Sequence, residues 1–387
     1  MNHQIKVPAF IRMGGGTLAE VAEAVTQLGA MRPLIVTDGF IVSTGLAKRV
    51  SDLLIAGGLA PRVFSETVPD PTTASLAAGV AAIHEHEADM LIGLGGGSPI
   101  DTSKALAVLA IRGGTMRELK APVSYAGPAL SILAIPTTAG TGSEATQFTV
   151  ISDSETGEKM LCAGHSYLPK SAIVDFELTL SMPPRLTADT GIDALTHAIE
   201  AYVSKKANGF SDALAMSAIA TIGKNLRTAY ADGNNRDARE AMMEAASFAG
   251  IAFSNASVAL VHAMSRPLGA HFHVAHGMAN AMLFAAVTEY SLGVLDDRYA
   301  ECGRALGVAT ASDSDEVAAR ALVTELHALK AELAVPSPEK FGISSSDWEG
   351  KIALMAEQAI GSGSHLNNPR VPSAADIEAI YRRIYSN

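Results

Sequence analysis

The sequence predicts two domains: an N-terminal α/β domain with a doubly wound parallel sheet, followed by an all-α C-terminal domain. In the first half, short apolar runs alternate with helical patterns. From the paired prolines Pro183 and Pro184 onward, strand patterns fade and long segments rich in Ala, Leu and Met take over. Because proline does not continue a helix interior, the pair is a natural boundary. We therefore predict domains at residues 1–181 and 182–387.

Four apolar runs predict strands of the sheet, at residues 33–38, 62–64, 89–94 and 131–135. Helical patterns accompany them, at 17–28, 43–56, 71–87 and 99–110. This alternation indicates parallel strands, because parallel neighbours need a crossover connection that is usually a helix. In the second half the same reasoning predicts helices at 188–203, 211–230, 236–253 and 277–290.

The composition is that of a globular protein. Of the 387 residues, 48% are hydrophobic and 18% are charged, which excludes a disordered chain. Acidic residues outnumber basic ones 40 to 29, which argues against nucleic acid or an anionic membrane as partner. No run of about 18 apolar residues predicts a transmembrane helix. The N-terminal sequence lacks a secretory pattern, and Cys162 and Cys302 alone build no disulfide framework, so we expect a cytoplasmic protein.

A glycine-rich turn follows the third predicted strand. Gly95-Gly96-Gly97-Ser98 leads into a predicted helix whose first turns contain Asp101. Glycines let the backbone approach a ligand closely, and free amides at the start of a helix attract phosphate oxygens. Since the segment is not the GxGxxG fingerprint, a plain tight turn remains the alternative to a phosphate-binding turn.

A second polar loop, residues 136–144, follows the next predicted strand. It carries two glycines and the four hydroxyl groups of Thr137, Thr138, Thr141 and Ser143. These groups suit hydrogen bonding to a diphosphate and a ribose. Ligands of open α/β sheets bind at the carboxyl ends of the strands, so the two loops together predict a dinucleotide site.

Asp38 ends the first of these strands. A carboxylate in this place accepts hydrogen bonds from the adenosine ribose and repels a 2′-phosphate, which favours NAD over NADP. The alternative is that Asp38 stabilises the turn at Gly39. A further cluster, Gly14-Gly15-Gly16, precedes a predicted helix and is interpreted as structural.

Asp193 and His197 lie four residues apart in a predicted helix and therefore share one of its faces. Such a pair can hold a divalent cation, although alone it is also typical of a surface ion pair or a helix cap. Downstream, four histidines fall within fifteen positions: His262, His271, His273 and His276. Any two of them would complete a set of four metal ligands with Asp193 and His197. Spacing does not distinguish His273 from His276 as a ligand.

Four segments together resemble the iron-containing, or group III, alcohol dehydrogenase family: GGGSPIDTSKA (95–105), PTTAGTGSEAT (136–146), TGIDALTHAIEAY (190–202) and HGMANAMLF (276–284). The resemblance extends over essentially the whole chain and implies a two-domain fold with the active site between the domains. The metal ligands that it implies are Asp193, His197, His262 and His276.

The resemblance also implies an NAD site formed by Asp38, Gly96, Gly97, Ser98, Thr137, Thr138 and Lys159. From the two loops we add Asp101, Thr141 and Ser143 as candidate cofactor residues. One carboxylate and three imidazoles suit Fe(II), with Zn(II) as the alternative ion. Either ion would act as a Lewis acid on the substrate oxygen.

The implied activity is a metal- and NAD-dependent interconversion of a small alcohol and an aldehyde. His271 and His273 are candidates for a proton relay. Family members are commonly dimers or larger, so we expect a homodimer whose other partner is the small-molecule substrate.

At Arg266 the chain departs from the family pattern. Many members carry a second histidine there, four residues after the ligand that matches His262, so the proton-transfer role of that histidine does not carry over. Arginine stays charged and presents a planar fork that suits carboxylates. We therefore include Arg266 among the catalytic candidates and expect an acidic substrate such as a hydroxy-acid/semialdehyde pair. The alternative is that Arg266 pairs with a nearby carboxylate and shapes the site without touching substrate.

Two other activities share parts of this pattern. A hydroxyacid–oxoacid transhydrogenase, which retains its nicotinamide between turnovers, also fits Arg266. A lyase similar to dehydroquinate synthase would need many basic residues near the histidines, and the helical half offers few. A non-catalytic metal-binding protein would leave the two polar loops without a function.

Overall fold

The computed structural model describes residues 3–386, and they form two compact units. Lys6–Leu180 form the first unit, and the residues from Ser181 onward, with the segment that ends at Ile5, form the second. Pro183 occupies the N-cap position of the first helix of the second unit, and Pro184 is the first residue of that helix. The fixed φ of proline favours this first position. That residues 1–181 bind a dinucleotide and 182–387 carry catalysis stays a prediction.

Eight strands lie in the first unit: β1 (Phe10–Met13), β2 (Pro33–Val36), β3 (Arg62–Phe64), β4 (Met90–Gly95), β5 (Ser131–Pro136), β6 (Phe148–Ser152), β7 (Lys159–Ala163) and β8 (Ser171–Val174). Six form a parallel sheet in the order β1-β8-β5-β4-β2-β3, while β6 and β7 form an antiparallel hairpin. In the sheet, Leu34 lies opposite Leu91, and Ile92 lies opposite Leu133. Strands β2 and β4 are buried along their whole length, as in a parallel sheet covered on both faces.

The first unit contains five α-helices: α1 (Val21–Gln27), α2 (Gly39–Ser43), α3 (Leu46–Ala56), α4 (Leu76–His86) and α5 (Gly97–Arg112). Because successive side chains of a strand point to opposite faces, Leu34 and Ile35 belong to different hydrophobic clusters. Leu34 packs in a cluster with Ile83 of α4 and Leu106 of α5. Ile35 packs in a cluster that includes Val50 of α3. Helices therefore cover both faces, which confirms the doubly wound α/β domain.

The described residues of the second unit contain ten α-helices and no strand: α6 (Pro184–Val203), α7 (Gly209–Ala231), α8 (Arg236–Ala256), α9 (Leu260–Phe272), α10 (His276–Ser291), α11 (Asp296–Leu306), α12 (Asp315–Glu332), α13 (Pro338–Phe341), α14 (Ser345–Gly361) and α15 (Ala374–Ile384). The all-α character predicted for the second half is confirmed. A short 3₁₀ turn, Ser364–Asn367, follows α14.

The structure differs from the prediction at several element boundaries. The helix predicted at 43–56 begins only at Leu46, because Gly45, with φ 80°, separates α3 from the short helix α2, of which the prediction included only Ser43. The helix predicted at 71–87 begins only at Leu76. Strands β1 and β8 and the β6–β7 hairpin were not predicted from the sequence. Their lengths of four or five residues give too little periodicity to separate a strand from a loop.

Among the described residues, no single helix has the length and apolar character needed to cross a membrane. The pair α8 and α9 meets the length and composition criteria together, with a bend of 104° between the two helices.

Candidate active site

Helix α6 places Asp193 and His197 on one face. Both side chains are buried, and His197 Nε2 lies 3.7 Å from Asp193 Oδ1. The surface ion pair considered for this sequence pair therefore does not describe it. His197 also stacks on Phe253 of α8, with ring centroids 4.2 Å apart. These contacts fix the imidazole orientation within the helical unit.

Helices α9 and α10 bring two more imidazoles to the same point. The Nε2 atoms of His262 and His276 lie 3.5 Å and 3.8 Å from Asp193 Oδ1. One potential ligand atom from each of the four residues lies within 4.8 Å of the other three. His276 is the first residue of α10, whereas His273 is an exposed residue at the end of α9 with φ 55°. The spacing had left His273 and His276 as alternatives, and the structure brings His276 into the cluster.

Two buried residues that sequence reasoning missed hold this cluster in place. Glu200 Oε2 lies 2.6 Å from His262 Nδ1, and the same carboxylate accepts hydrogen bonds from the amides of Ala259 and Val261. Asn280 donates from Nδ2 to Asp193 Oδ1 at 2.6 Å. A carboxylate on the far nitrogen of a metal-binding histidine fixes its tautomer and orientation, which is the arrangement seen at Glu200 and His262.

The signal for these two residues is in the spacing. Glu200 lies three residues after His197 on α6, and Asn280 lies four residues after His276 on α10. Both spacings place the second polar residue on the face that already carries the first. An acid or an amide at such a spacing is common on exposed helix faces, so the spacing gains meaning only together with burial.

Burial and charge favour the metal-binding protonation state at Asp193 and His197, and act in the opposite direction at His262. Burial lowers the pKa of His197 to about 3, so this ring is neutral near pH 7. Burial alone would raise the pKa of Asp193, but the surrounding imidazoles outweigh burial and lower it below its usual range. For His262, burial acts to lower the pKa, but the carboxylates of Glu200 and Asp193 outweigh burial and raise it, so a cation must displace a proton more readily held by this ring. An ionised carboxylate with a neutral imidazole is a metal-binding form.

The residues fit a divalent cation. In the described part of the chain, no lysine or arginine forms an ion pair with buried Asp193, whose polar neighbours are imidazoles and an amide. A buried carboxylate is strongly destabilised without a compensating charge. Asn280 Oδ1 has no hydrogen-bond partner among the described residues, so the protein groups that the structure describes do not satisfy every polar atom of this cluster. One oxygen and three nitrogen ligands suit Fe(II) or Zn(II).

Arg266 lies on α9, one helical turn after His262. It is 7% exposed, and its Nη1 donates to Ser364 Oγ at 3.2 Å. In the described part of the chain it forms no ion pair, so the alternative of a direct pairing with a carboxylate finds no partner there. Burial lowers the pKa of Arg266 to about 10, although the charge of Glu200 acts in the opposite direction.

The two histidines predicted as proton relays lie outside the cluster of four. His271 forms a hydrogen bond through Nε2 to Gln358 Oε1 at 2.8 Å, and His273 is exposed. The relay role of both residues stays a prediction.

In the first unit, the glycine-rich turn and the polar loop lie against each other. Strand β4 ends at Gly95, and α5 begins at Gly97 with no side-chain cap on its free amides. A Cβ atom at Gly97 would lie 3.2 Å from Thr141 Cγ2, and one at Gly96 would lie 3.6 Å from Thr138. A side chain would therefore be tight at Gly97 and make only ordinary contact at Gly96, and the uncapped amides of α5 are available to a ligand.

Other predicted cofactor residues have protein partners around this turn. Ser98 Oγ accepts from the amide of Asp70, and Lys159 Nζ forms a 2.9 Å ion pair with the Asp70 carboxylate. Thr137 donates its amide to the Gly95 carbonyl. Asp38 caps α2 by accepting from the Ile41 amide at 2.9 Å, which is the turn-stabilising role considered as the alternative.

Asp101 and Ser143 belong to a network that contains a buried lysine. Ser143 Oγ donates to Asp101 Oδ1 at 2.6 Å and accepts from Lys104 Nζ at 2.8 Å. The second oxygen of Asp101 accepts from the amide of Val150 on β6. Burial lowers the pKa of Lys104 to about 8, against the attraction of Asp101. These contacts join α5 to the polar loop and the hairpin. A direct contact of Asp101 or Ser143 with a cofactor stays a prediction.

Comparison with known proteins identifies the family. Residues 8–176 match the model of the iron-containing alcohol dehydrogenases, and residues 187–385 match the model of the C-terminal part of that family. The chain belongs to the iron-containing alcohol dehydrogenase family. It is therefore an oxidoreductase that interconverts alcohols and aldehydes. Membership implies iron and usually NAD(H), and the Asp/His cluster lies within the segment matched by the C-terminal model.

Three relatives illustrate the range of this alcohol dehydrogenase family. The NAD-dependent methanol dehydrogenase of Bacillus methanolicus is 36% identical over 377 residues, which are 97% of this chain and 98% of that protein. The crystal structure of a 1,3-propanediol oxidoreductase has a TM-score of 0.95 at 33% identity and covers both chains fully. A sulfoacetaldehyde reductase of Bifidobacterium kashiwanohense, solved in complex with NAD⁺, has a TM-score of 0.88 at 29% identity and full coverage.

Proposed function

We propose that this alcohol dehydrogenase uses NAD and a divalent ion, Fe(II) or Zn(II), held by Asp193, His197, His262 and His276. The convergence of four potential ligand atoms within 4.8 Å carries this proposal. When bound, such an ion supplies Lewis acidity toward the substrate oxygen. The hydride chemistry belongs to the nicotinamide, and the protein supplies binding and orientation.

The chain's own residues would prepare the site for this chemistry. Glu200 accepts a hydrogen bond from His262 Nδ1–H. This favours the tautomer in which Nε2, the nitrogen that faces Asp193, carries no proton and can bind a metal. Asn280 orients the Asp193 carboxylate through its amide. Phe253 covers one face of His197 and keeps water from it. These contacts hold the ligand atoms in place before an ion arrives, which lowers the ordering entropy that binding must overcome.

NAD is the dinucleotide that the first unit supports best. The open amides of α5 suit a diphosphate, and the Asp38 carboxylate, which also caps α2, would repel a 2′-phosphate if the ribose bound there. Two relatives support this choice: one is named as NAD-dependent, and another was solved with NAD⁺. The proposed cofactor residues are those predicted above from the turn, the loop, Asp38 and Lys159.

For the substrate we propose a small alcohol or aldehyde that carries an anionic group. Relatives named lactaldehyde reductase and sulfoacetaldehyde reductase act on small aldehydes, the second of them anionic. Arg266 is the residue of this chain that supports the anionic class. The cytoplasmic location and the homodimer stay predictions.

Replacing His262 with alanine tests the metal proposal. We expect His262→Ala to lose bound metal and aldehyde reduction with NADH together, because one of four ligands and the Glu200 contact disappear. Metal content by mass spectrometry and initial rates, on protein reconstituted separately with iron and zinc, are the measurements. The matched control is His327→Ala on α12, an exposed histidine outside the cluster. Full activity of a metal-free His262→Ala protein would refute the scheme.

A transhydrogenase is the second candidate, because it also accounts for a buried arginine beside the cluster. Such an enzyme would turn over without added NAD when supplied with a hydroxy acid and a second oxoacid. Strict dependence on added NAD⁺ or NADH would exclude it. No observation favours the lyase.

A further inference from the structure

Arg266 is a buried cation whose donors are mostly unused. It is 7% exposed, and its one hydrogen bond in the described part of the chain joins Nη1 to Ser364 Oγ. Among the described residues, the other two guanidinium nitrogens have no partner, and they are not among the fully enclosed polar atoms that lack one. They therefore border space that solvent or a ligand can enter.

No carboxylate of the described residues competes for these donors. Glu200 is the acid whose charge acts on Arg266, but its two oxygens already accept from the amides of Ala259 and Val261 and contact His262 Nδ1. A buried charge without a partner is strongly unfavourable in a folded protein. The positive charge at this position is thus left for a group that the chain does not supply.

Ser364 adds a hydroxyl donor beside the guanidinium. Its oxygen accepts from Arg266 Nη1, which leaves its own proton free to donate, and the side chain is 5% exposed. A planar fork and an adjacent hydroxyl form a donor set that matches a carboxylate or a sulfonate. Because Arg266 and His262 lie four residues apart on one face of α9, this donor set adjoins the cluster of ligands.

We propose that Arg266 and Ser364 form a subsite that holds the anionic end of the substrate, a small aldehyde or alcohol bearing a carboxylate or sulfonate. This inference rests on the proposed function, since it concerns the substrate of the same site. With a divalent cation in the cluster, the carboxylates of Asp193 and Glu200 and the guanidinium of Arg266 leave a net charge of about plus one, which favours an anion. Arg266 is then a specificity-determining residue.

The test compares matched substrates on the NAD- and metal-loaded enzyme. Succinic semialdehyde is paired with butanal, and sulfoacetaldehyde with glycolaldehyde, so that each pair differs chiefly in the anionic group. We expect the ratio of kcat/KM values, anionic over neutral, to fall about 10- to 100-fold in Arg266→Gln, because a charge-assisted contact is lost. Arg266→Lys keeps the charge without the fork and should lie between. Ser364→Ala should lower the ratio less than Arg266→Gln.

A binding measurement accompanies the kinetics. We expect calorimetry to show that succinate or ethanesulfonate binds wild-type holoenzyme and binds Arg266→Gln about 10- to 100-fold more weakly. The two pairs and the two anions show which of carboxylate and sulfonate is preferred. Arg320→Gln, at an exposed arginine of α12, is the matched control and should leave the ratio unchanged.

The outcomes separate the two proposals. Equal losses for anionic and neutral substrates in Arg266→Gln and Ser364→Ala would overturn the subsite, as would a wild-type enzyme that prefers the neutral member of both pairs. In either case reduction of the neutral aldehydes would still support the proposed metal- and NAD-dependent dehydrogenase activity, whereas the anionic substrate class would fail together with the subsite. A fully loaded wild-type enzyme that reduces none of the four aldehydes would overturn both.

Discussion

Glu200 connects the candidate ligand His262 to the backbone before α9. Its carboxylate meets the ring at 2.6 Å and accepts from two buried amides, so it both orients the imidazole and raises its basicity. We expect Glu200→Gln to weaken Zn(II) binding about 10- to 100-fold, because the neutral amide stabilises the metal-binding ring less well. Competition titration of the metal-free protein with a chromophoric chelator measures this.

The control for this experiment is Glu349→Gln, which changes an exposed glutamate paired with Arg382 on the surface. Its Zn(II) affinity should equal that of wild type. If Glu200→Gln also bound Zn(II) as wild type does, Glu200 would support only the fold.

For single residues, the sequence identified the candidate metal ligands but not the side chains that hold them in place. Asp193 and His197 were predicted by spacing, and His262 and His276 by the resemblance. Glu200 and Asn280 were missed because their roles depend on how closely α6, α9 and α10 approach. For Asp38 the sequence allowed two roles equally, a contact with the ribose and stabilisation of a turn. The structure shows the second of these as the cap on α2.

The approach of α10 to α6 depends on Gly277. A Cβ atom there would lie 2.5 Å from the Asp189 carbonyl oxygen of α6, so any side chain must push the two helices apart. His276 would then move away from Asp193. We expect Gly277→Ala to lower Zn(II) affinity at least 10-fold and to destabilise the protein by about 1–3 kcal/mol. Zn(II) titration and urea unfolding of the metal-free protein are the measurements.

Gly303→Ala is the matched control for this change. A Cβ atom at Gly303 of α11 would lie 2.6 Å from the Ala318 carbonyl oxygen of α12, an equally tight backbone contact. Neither of these helices carries a member of the cluster. The control should lose stability to a similar degree and keep its Zn(II) affinity. Equal losses of affinity in both variants would show that general destabilisation, rather than the α6–α10 contact, weakens the site.

Elements with strong periodicity were predictable, and those set by a single residue or a distant contact were not. Helices α6, α7, α8 and α10 and strands β2 to β5 were predicted within a few residues. The division between α2 and α3 depends on the backbone of Gly45, which a periodic pattern does not register. The hairpin β6–β7 explains the placement of Asp101, whose partner Val150 lies on a strand that was not predicted.

For the whole molecule, the candidate metal ligands and the candidate dinucleotide-binding loops lie in different units. All four cluster residues lie in the unit that begins at Ser181, and both polar loops lie in the unit Lys6–Leu180. This distribution supports the predicted division between dinucleotide binding and metal binding. The sequence predicts the boundary between the two domains because the change from mixed to purely helical patterns coincides with Pro183 and Pro184.

Hydrogen exchange tests this division directly. A ligand that binds only the folded state stabilises it by about 2.7 kcal/mol at 100 times its Kd, and the amides that open with its site gain most of the protection. We expect Zn(II) to slow exchange in α6, α9 and α10, whose residues it would join. NAD⁺ should slow exchange at residues 95–101 and 136–144, whose amides and hydroxyls it would engage. Zn(II) should protect nothing in His262→Ala, while NAD⁺ should still protect the two loops. If NAD⁺ left both loops unprotected in wild type, the assignment of the dinucleotide to the first unit would fail, whatever the metal did in the second.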